Sequence, residues 1–433
     1  MALQRVAQSR AIFVADLIAT SLMKHLTVVI MSIALCSQFL NGKDLSDLSK
    51  TLESLAGLTS PPATSPADGF EVEGSIKPVF FDALDWQGKP TKVFAWVGLP
   101  ENATASHPVP GVVLVHGGGG TAFKDWVKQW NAEGFAAISI AVEGQLDRQN
   151  PTMQTSHNGG WERHQHAGPA RQGIYGDSNI SLRDQWMYHA VADTILANSL
   201  LRSLPEVNPK KVGIMGVSWG SVITSTVIGI DPRFAFAIPT YGCGGLDKAP
   251  NQYGRTLGTH DLYRSFWDPN LRLEKARIPV LWFSWPEDDH FPMDCLEVSR
   301  SKVSGISTAS LVPKMGHGHA QAWLRKESYA FAKSILNTGK PWCSARSTNL
   351  EENTLTAIFE SSKPLDSAVL VSTSDTGDTS QCHWIESPAS LTCSNRQWTA
   401  TASLPPGTTS CFINVTAGPL ISSSRYIEKK WAN

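Results

Sequence analysis

The chain is short of charge. Asp, Glu, Lys and Arg make up 17% of its 433 residues, against roughly 25% in an average soluble domain. Its 37 basic residues almost cancel its 38 acidic ones. With no block of like charge, no polyanion-binding surface is written into the composition, and no nucleic-acid partner is expected. Long hydrophobic runs are also missing. The N-terminal run Leu26–Leu35 is far below the roughly 20 residues that a membrane span needs, so no stable span is expected. Cysteine is scarce at seven, and no Cys-x-x-Cys spacing occurs, which weakens a zinc or thioredoxin-like reading. Tyrosine is rare beside tryptophan, 7 against 15. What remains is an apolar fraction of 42%, ample for a large core and incompatible with a disordered chain.

The N-terminus has its own texture. Lys24 and His25 precede the apolar run, and small residues follow it at Cys36-Ser37. That order describes a secretory signal peptide with translation starting at Met23, and predicts a secreted or periplasmic protein. Cys36 also offers a lipoprotein acylation site, although Leu35 before it is large for one. Past the signal six cysteines remain, Cys243, Cys295, Cys343, Cys382, Cys393 and Cys411. An even number in an exported chain predicts disulfides, with the pairing left open.

Four segments follow from the patterning. Residues 1–40 form the signal region. Residues 41–74, rich in Ser, Pro, Gly and Asp, read as a linker. In residues 75–341 a hairpin (Lys77–Leu84, Lys92–Leu99) leads into short apolar runs alternating with amphipathic ones. Strands are predicted at Gly111–Val115, Ala136–Ala141, Lys211–Met215, Phe234–Pro239, Val280–Ser284 and Ser310–Val312, with helices at Ser181–Leu204 and Glu327–Asn337 among others. The expected fold class is α/β, a mostly parallel sheet flanked by helices. Residues 342–433 hold short strand-like runs parted by Ser, Thr, Gly and Pro, which predict a small all-β sandwich.

Three motifs fall at strand ends. Gly216-Val217-Ser218-Trp219-Gly220 stands between a predicted strand and helix, the setting of a nucleophile elbow that lifts the Ser218 hydroxyl clear of the sheet. His116-Gly-Gly-Gly-Gly120 follows another strand. Its backbone N–H groups at Gly118 and Gly119, with that of Trp219, make a candidate oxyanion hole. A phosphate loop is the competing reading, but the Gly-Lys-Ser/Thr signature is absent. Lastly, Asp288 and Asp289 follow one strand and His317 and His319 another, giving the order serine, acid, histidine of a hydrolytic triad. His317 is preferred as the first histidine after its strand. Trp219, next to the nucleophile, and Trp161, within the long polar segment Gly144–Ser178 that reads as a loop over the site, are candidates for lining the substrate pocket. His164 and His166 are two apart with no clear third ligand, so no metal and no cofactor is expected. Asn102, Asn179 and Asn414 begin glycosylation sequons, which carry meaning only in a eukaryotic secretory route.

With these residues in view, the chain resembles the α/β-hydrolases of the dienelactone-hydrolase and acetylxylan-esterase-like type. The resemblance runs through Leu114–Phe123, Trp186–Asp193, Ser199–Val207 and Pro239–Gly244, over roughly residues 75–430. It implies an α/β-hydrolase fold and a serine esterase acting on acyl-decorated carbohydrate, with Ser218, Asp289 and His317 as the triad. Asp289 is preferred to Asp288 because the position before His-Phe-Pro resembles the family pattern. Two features depart from the group. Ser221 stands where relatives commonly carry a second Gly, and Ser218 replaces the cysteine of dienelactone hydrolases proper. Two other readings compete. One is a prolyl-oligopeptidase-type serine peptidase, against which the short segment before the catalytic region counts. The other is a non-catalytic carbohydrate-binding protein on a hydrolase scaffold, against which the complete set of serine, acid and histidine counts.

Overall fold

The computed structural model describes residues 42–150, 159–395 and 397–429. The signal segment, the start at Met23 and Cys36 lie outside the described residues. Leu48–Asn433 form one compact unit, and the architecture that follows is that of this unit together with the described start of its first helix.

The segment expected as a linker is folded. Helix α1 (Gly42–Glu53) runs into a 3-10 turn (Ser54–Gly57), and β1 (Thr64–Pro66) pairs with β2 (Lys77–Asp82). Leu52, Leu55 and Ala67 are buried, and Ser199 Oγ donates to the Leu58 carbonyl at 2.6 Å. A few well-spaced apolar side chains anchor a stretch whose Ser/Pro content suggested none.

The strands β2, β3 (Lys92–Gly98), β4 (Val109–Val115), β5 (Ala136–Ile140), β8 (Val207–Val217), β9 (Ala237–Thr240), β10 (Val280–Ser284) and β11 (Ser307–Leu311) form the main sheet, while β6 (Gln145–Gln149) and β7 (Trp161–Arg163) pair apart from it. Its order is β2-β3-β5-β4-β8-β9-β10-β11, antiparallel up to β5 and parallel from there. The parallel strands are nearly continuous apolar runs because helices cover both faces. All five residues of β5 and of β10 are buried. The covering helices include α2 (Lys124–Ala132), α3 (Trp186–Ser203), α4 (Trp219–Val227), α5 (Gln252–Leu257), α6 (Met293–Lys302), α7 (His319–Leu324) and α8 (Glu327–Thr338). This is the α/β-hydrolase arrangement. Most of the abundant tryptophans serve its core, Trp126, Trp130, Trp267 and Trp282 being fully enclosed.

The C-terminal strands β12 (Cys343–Glu351), β13 (Thr354–Ser361), β14 (Ser367–Thr373), β15 (Ile385–Ser394), β16 (Gln397–Ser403), β17 (Ser410–Ala417), β18 (Leu420–Ser423) and β19 (Ile427–Glu428) pair antiparallel around their own core of Leu355, Phe359, Leu370 and Ile413. They join the main sheet through β18, which pairs with β11 at Ser423 and Ala309. Asn414 Nδ2 donates to the Leu311 carbonyl at 2.9 Å, and Ser423 Oγ accepts from Leu311 N–H at 2.8 Å. The disulfides expected from the cysteine count are not formed. All six described cysteines are free thiols, and Cys393 alone is exposed. The register explains it for the strand cysteines, since Cys343, Cys393 and Cys411 face Ser361, Trp398 and Ser372. Among the described residues no helix is long and apolar enough to cross a membrane.

The tightest packing lies where β8 turns into α4. A methyl group placed on Gly220 would stand 2.0 Å from the Val115 carbonyl oxygen and 2.6 Å from that of His116. Both are backbone atoms that cannot swing aside. Gly220→Ala is therefore expected to cost about 3 kcal/mol of stability by overpacking. Denaturant unfolding checks it, and a cost below about 0.5 kcal/mol would contradict so close an approach of helix and strand.

Candidate active site

Ser218 occupies the turn between β8 and α4 with φ 55° and ψ −118°, a conformation rarely adopted outside glycine. The surroundings enforce it. Ser218 N–H donates to the Thr240 carbonyl at 3.0 Å, and its own carbonyl accepts from Ser221 and Val222 N–H. Gly216 fits because a methyl there would lie 2.0 Å from the Gly220 oxygen. Ser221, the departure from the family pattern, donates its hydroxyl to the Gly242 carbonyl at 2.8 Å and so ties the helix start to the chain after β9.

The candidate acid and base follow the ends of β10 and β11. His317 Nδ1 lies 2.8 Å from Asp288 Oδ2. Asp288 is fully buried and saturated: Oδ1 accepts from the His290 and Phe291 amides at 2.9 and 2.8 Å, and Oδ2 from Trp285 Nε1 at 3.0 Å. The residue expected as the acid, Asp289, points the other way. Its side chain is 63% exposed and meets only the neighbouring His290 ring. Consecutive residues of this turn face opposite sides, and only the first receives the turn's own N–H groups. The acid on His317 is thus Asp288, a correction to the preference for Asp289. The imidazole of His317 is flanked by the rings of Tyr241 and His290, each 4.6 Å away by centroid. The Tyr241 hydroxyl donates to the Gly318 carbonyl, bracing the loop.

The glycine loop lies against the elbow. A methyl on Gly117 would be 2.8 Å from Ser218 Cβ and 3.3 Å from His319 Nε2. Gly117 N–H is already committed, donating to His319 Nε2 at 3.0 Å. The amides of Gly118, Gly119 and Trp219 have no acceptor among the described residues, Trp219 because it opens a helix. His319 is therefore a brace between the glycine loop and the His317 loop. His116 does similar work, its Nδ1–H donating to the Gly117 carbonyl at 2.7 Å while Nε2 accepts from Val142 N–H at 3.1 Å.

Trp161 and Trp219 are both at the site, in different roles. Trp161 donates its indole N–H to the Gly119 carbonyl at 2.8 Å, holding a glycine whose φ is +69°. Trp219 is buried among Tyr175, Trp186 and Tyr253. Over its face lies Arg171, 5.2 Å from the ring centroid, in an enclosed ion pair with Glu143 (Nε to Oε1, 3.1 Å). Burial raises the Glu143 carboxyl above its ordinary value, against the pull of Arg171. Neither residue was singled out by sequence; the only available signal was their place near the long polar segment. In that segment His164 packs on Phe80 and both its ring nitrogens are unpartnered, while His166 is exposed beside Gln165, so the two form no ligand pair. Among the described residues the one group with metal-like spacing is Asp288, His290 and His317. Both Asp288 oxygens there are already spent on four hydrogen bonds.

Residues 71–243, from before β2 to just beyond the elbow, match the family model described as acetyl xylan esterase. No curated protein matches. Among solved structures, the acetyl xylan esterase from Paenibacillus sp. R4 is similar at 18% identity with a TM-score of 0.50, covering 64% of this chain and 90% of that one. Acetyl xylan esterase 1 from Thermoanaerobacterium sp. JW/SL YS485 has 15% identity, coverages of 63% and 89%, and a TM-score of 0.47. A dienelactone hydrolase from Klebsiella pneumoniae has 18% identity, coverages of 58% and 90%, and a TM-score of 0.39. At 18% identity the likeness to the Paenibacillus enzyme speaks for the fold alone.

The braces make a testable demand on pH. Burial lowers His319 to about 4 and His116 to about 3, from an ordinary 6.5. Both stay neutral in the folded chain, whereas the unfolded chain takes up their protons below about pH 6.5. The stability they contribute is complete above pH 6.5 and is lost as pH falls towards 4. Melting temperatures from pH 7 to 4 should therefore drop, and less steeply in His319→Gln, which keeps an acceptor without a titrating ring. Equal slopes in the two proteins would contradict a neutral, buried His319.

Proposed function

We propose that this chain, a serine hydrolase acting on ester bonds, is an exported esterase that removes acetyl groups from carbohydrate through an acyl-Ser218 intermediate. The observation that carries the reading is the Asp288–His317 hydrogen bond, carried on the same edge of the parallel sheet as the strained Ser218 elbow. The match to an acetyl xylan esterase family model supports the substrate class.

Ser218 Oγ attacks the ester carbonyl while His317 Nε2 takes its proton. Asp288 receives His317 Nδ1–H, which fixes the ring tautomer and stabilises the imidazolium as it forms. The carbonyl oxygen, now an anion, is held by the free amides of Gly118 and Trp219. When the tetrahedral species collapses, His317 returns the proton to the departing sugar hydroxyl. A water then attacks the acyl-serine with His317 again as base, and acetate leaves. The role of Asp288 follows from its saturation. Three N–H donors besides the imidazole hold the carboxylate rigidly, so its position survives each proton transfer. Export follows from the reading of Lys24–Ser37 as a cleaved signal.

Measurements of activity and of export test these claims. p-Nitrophenyl acetate should be hydrolysed, and acetylated xylan should release acetate. Ser218→Ala should lower kcat at least about 10⁴-fold and Asp288→Asn about 10³-fold or more, with Asp289→Asn within about threefold of wild type. A Ser218→Ala enzyme with wild-type turnover would sink the assignment, and a larger loss at Asp289 than at Asp288 would reverse the acid. For export, the protein expressed in a bacterial host with its own N-terminus should be recovered outside the cytoplasm with the mass of a chain trimmed near residue 36. A cytoplasmic, untrimmed product would refute it.

A further inference from the structure

Arg171 is placed and held in a way that the esterase steps do not use. Its side chain is only 10% exposed, and that of its partner Glu143 only 6%. Nε donates to Glu143 Oε1, and Nη1 donates to the Gly173 carbonyl at 2.9 Å. The guanidinium lies over the indoles of Trp219 and Trp186, 5.2 and 6.0 Å from their centroids. One edge is thus left over. Nη2 makes no hydrogen bond among the described residues, yet it is not one of the enclosed polar atoms without a partner, so it meets open space. That edge is beside the nucleophile. A methyl group on Gly118 would lie 2.9 Å from Nη2 and 3.1 Å from Trp219 Cδ1. Gly118 and Trp219 are the two residues whose amides the proposed reaction assigns to the oxyanion. The missing side chain of Gly118 is the space that Arg171 fills.

A neutral acetyl ester gives this cation nothing to do, since backbone amides already serve the oxyanion. A purely structural ion pair would need Glu143 and would gain nothing from an open edge one residue from the elbow. A guanidinium fork with fixed partners on one side and stacked on aromatic faces is pre-organised for a planar anion. Being partly desolvated, it discriminates more sharply than a surface lysine would.

We infer that Arg171 is an anion-binding group of the substrate cleft, and that the preferred esters carry a carboxylate on the same sugar ring as the acyl group, as acetylated uronic acid residues do. The inference deepens the esterase reading and rests on it.

The full-length protein tests it with two sugars that differ at one carbon. D-Galacturonate should inhibit p-nitrophenyl acetate hydrolysis competitively, with an inhibition constant at least about tenfold below that of D-galactose. The ratio of kcat/KM on acetylated galacturonan to that on acetylated xylan should fall at least about tenfold in Arg171→Met and recover in part in Arg171→Lys. Equal inhibition by the two sugars in the wild type would overturn the assignment. So would a loss in Arg171→Met that is the same on both polymers, which would put Arg171 on the oxyanion instead. Titration calorimetry of galacturonate against galactose needs no turnover. It separates failure of this site from failure of the esterase reading, which p-nitrophenyl acetate alone decides.

Discussion

Ser218 is held at a positive φ, and the rest of the site is built around keeping it there. A non-glycine residue in such a conformation costs of order 1–3 kcal/mol and persists only when its surroundings over-determine it. They do so by contact. Gly216 and Gly220 let strand and helix touch where any side chain would collide with a carbonyl. The Thr240 carbonyl holds the Ser218 amide, and Ser221 fastens the first turn of the helix to the next strand's exit. The parallel sheet supplies the anchorage. Four strand ends, those of β4, β8, β10 and β11, deliver the glycine loop, the serine, the acid and the base to one edge.

The histidines of this edge show how one side-chain type is given separate tasks by its neighbours. His317 has a carboxylate on Nδ1 and aromatic rings on its flanks. His116 and His319 have backbone groups instead and are kept neutral by burial. As neutral rings they are fixed hydrogen-bonding struts that join the glycine loop to its neighbours. The motif His-Gly-His thus contains a ring paired with a carboxylate and a ring bonded to the backbone, two positions apart. Gly318 between them is extended and His319 opens α7, so the second ring starts a helix while the first still belongs to the loop.

The fold and the elbow were legible because both depend on local rules. Val280–Ser284 and Glu327–Thr338 are long enough apolar or amphipathic runs to declare themselves, and Gly-x-Ser-x-Gly between strand and helix has one mechanical reading. What could not be read depends on the direction of side chains within irregular loops. Asp288 and Asp289 are chemically alike, and the choice between them is made by which one receives the turn's amides. Arg171 and Glu143 are far apart in sequence and meet only because two loops pack together. The folding of residues 42–74 was hidden for a related reason. Its buried residues, Leu52, Leu55 and Ala67, are too few to produce a period, and their partners lie elsewhere in the chain.

The pairing of β11 with β18 has a consequence for how the chain behaves among its own kind. A parallel sheet that ended at β11 would show one full row of unmet N–H and C=O groups, the geometry onto which another strand readily adds. The C-terminal sandwich caps that row with Ser423 and Asn414, whose side chains bond Leu311 as well as each other. Beyond any part it plays with substrate, this appendage covers the β11 edge of the sheet against other molecules. At that margin Ser422, Ser423 and Asn414 are buried, their polar groups spent inside the molecule, which suits an enzyme with so few charges to keep its copies apart.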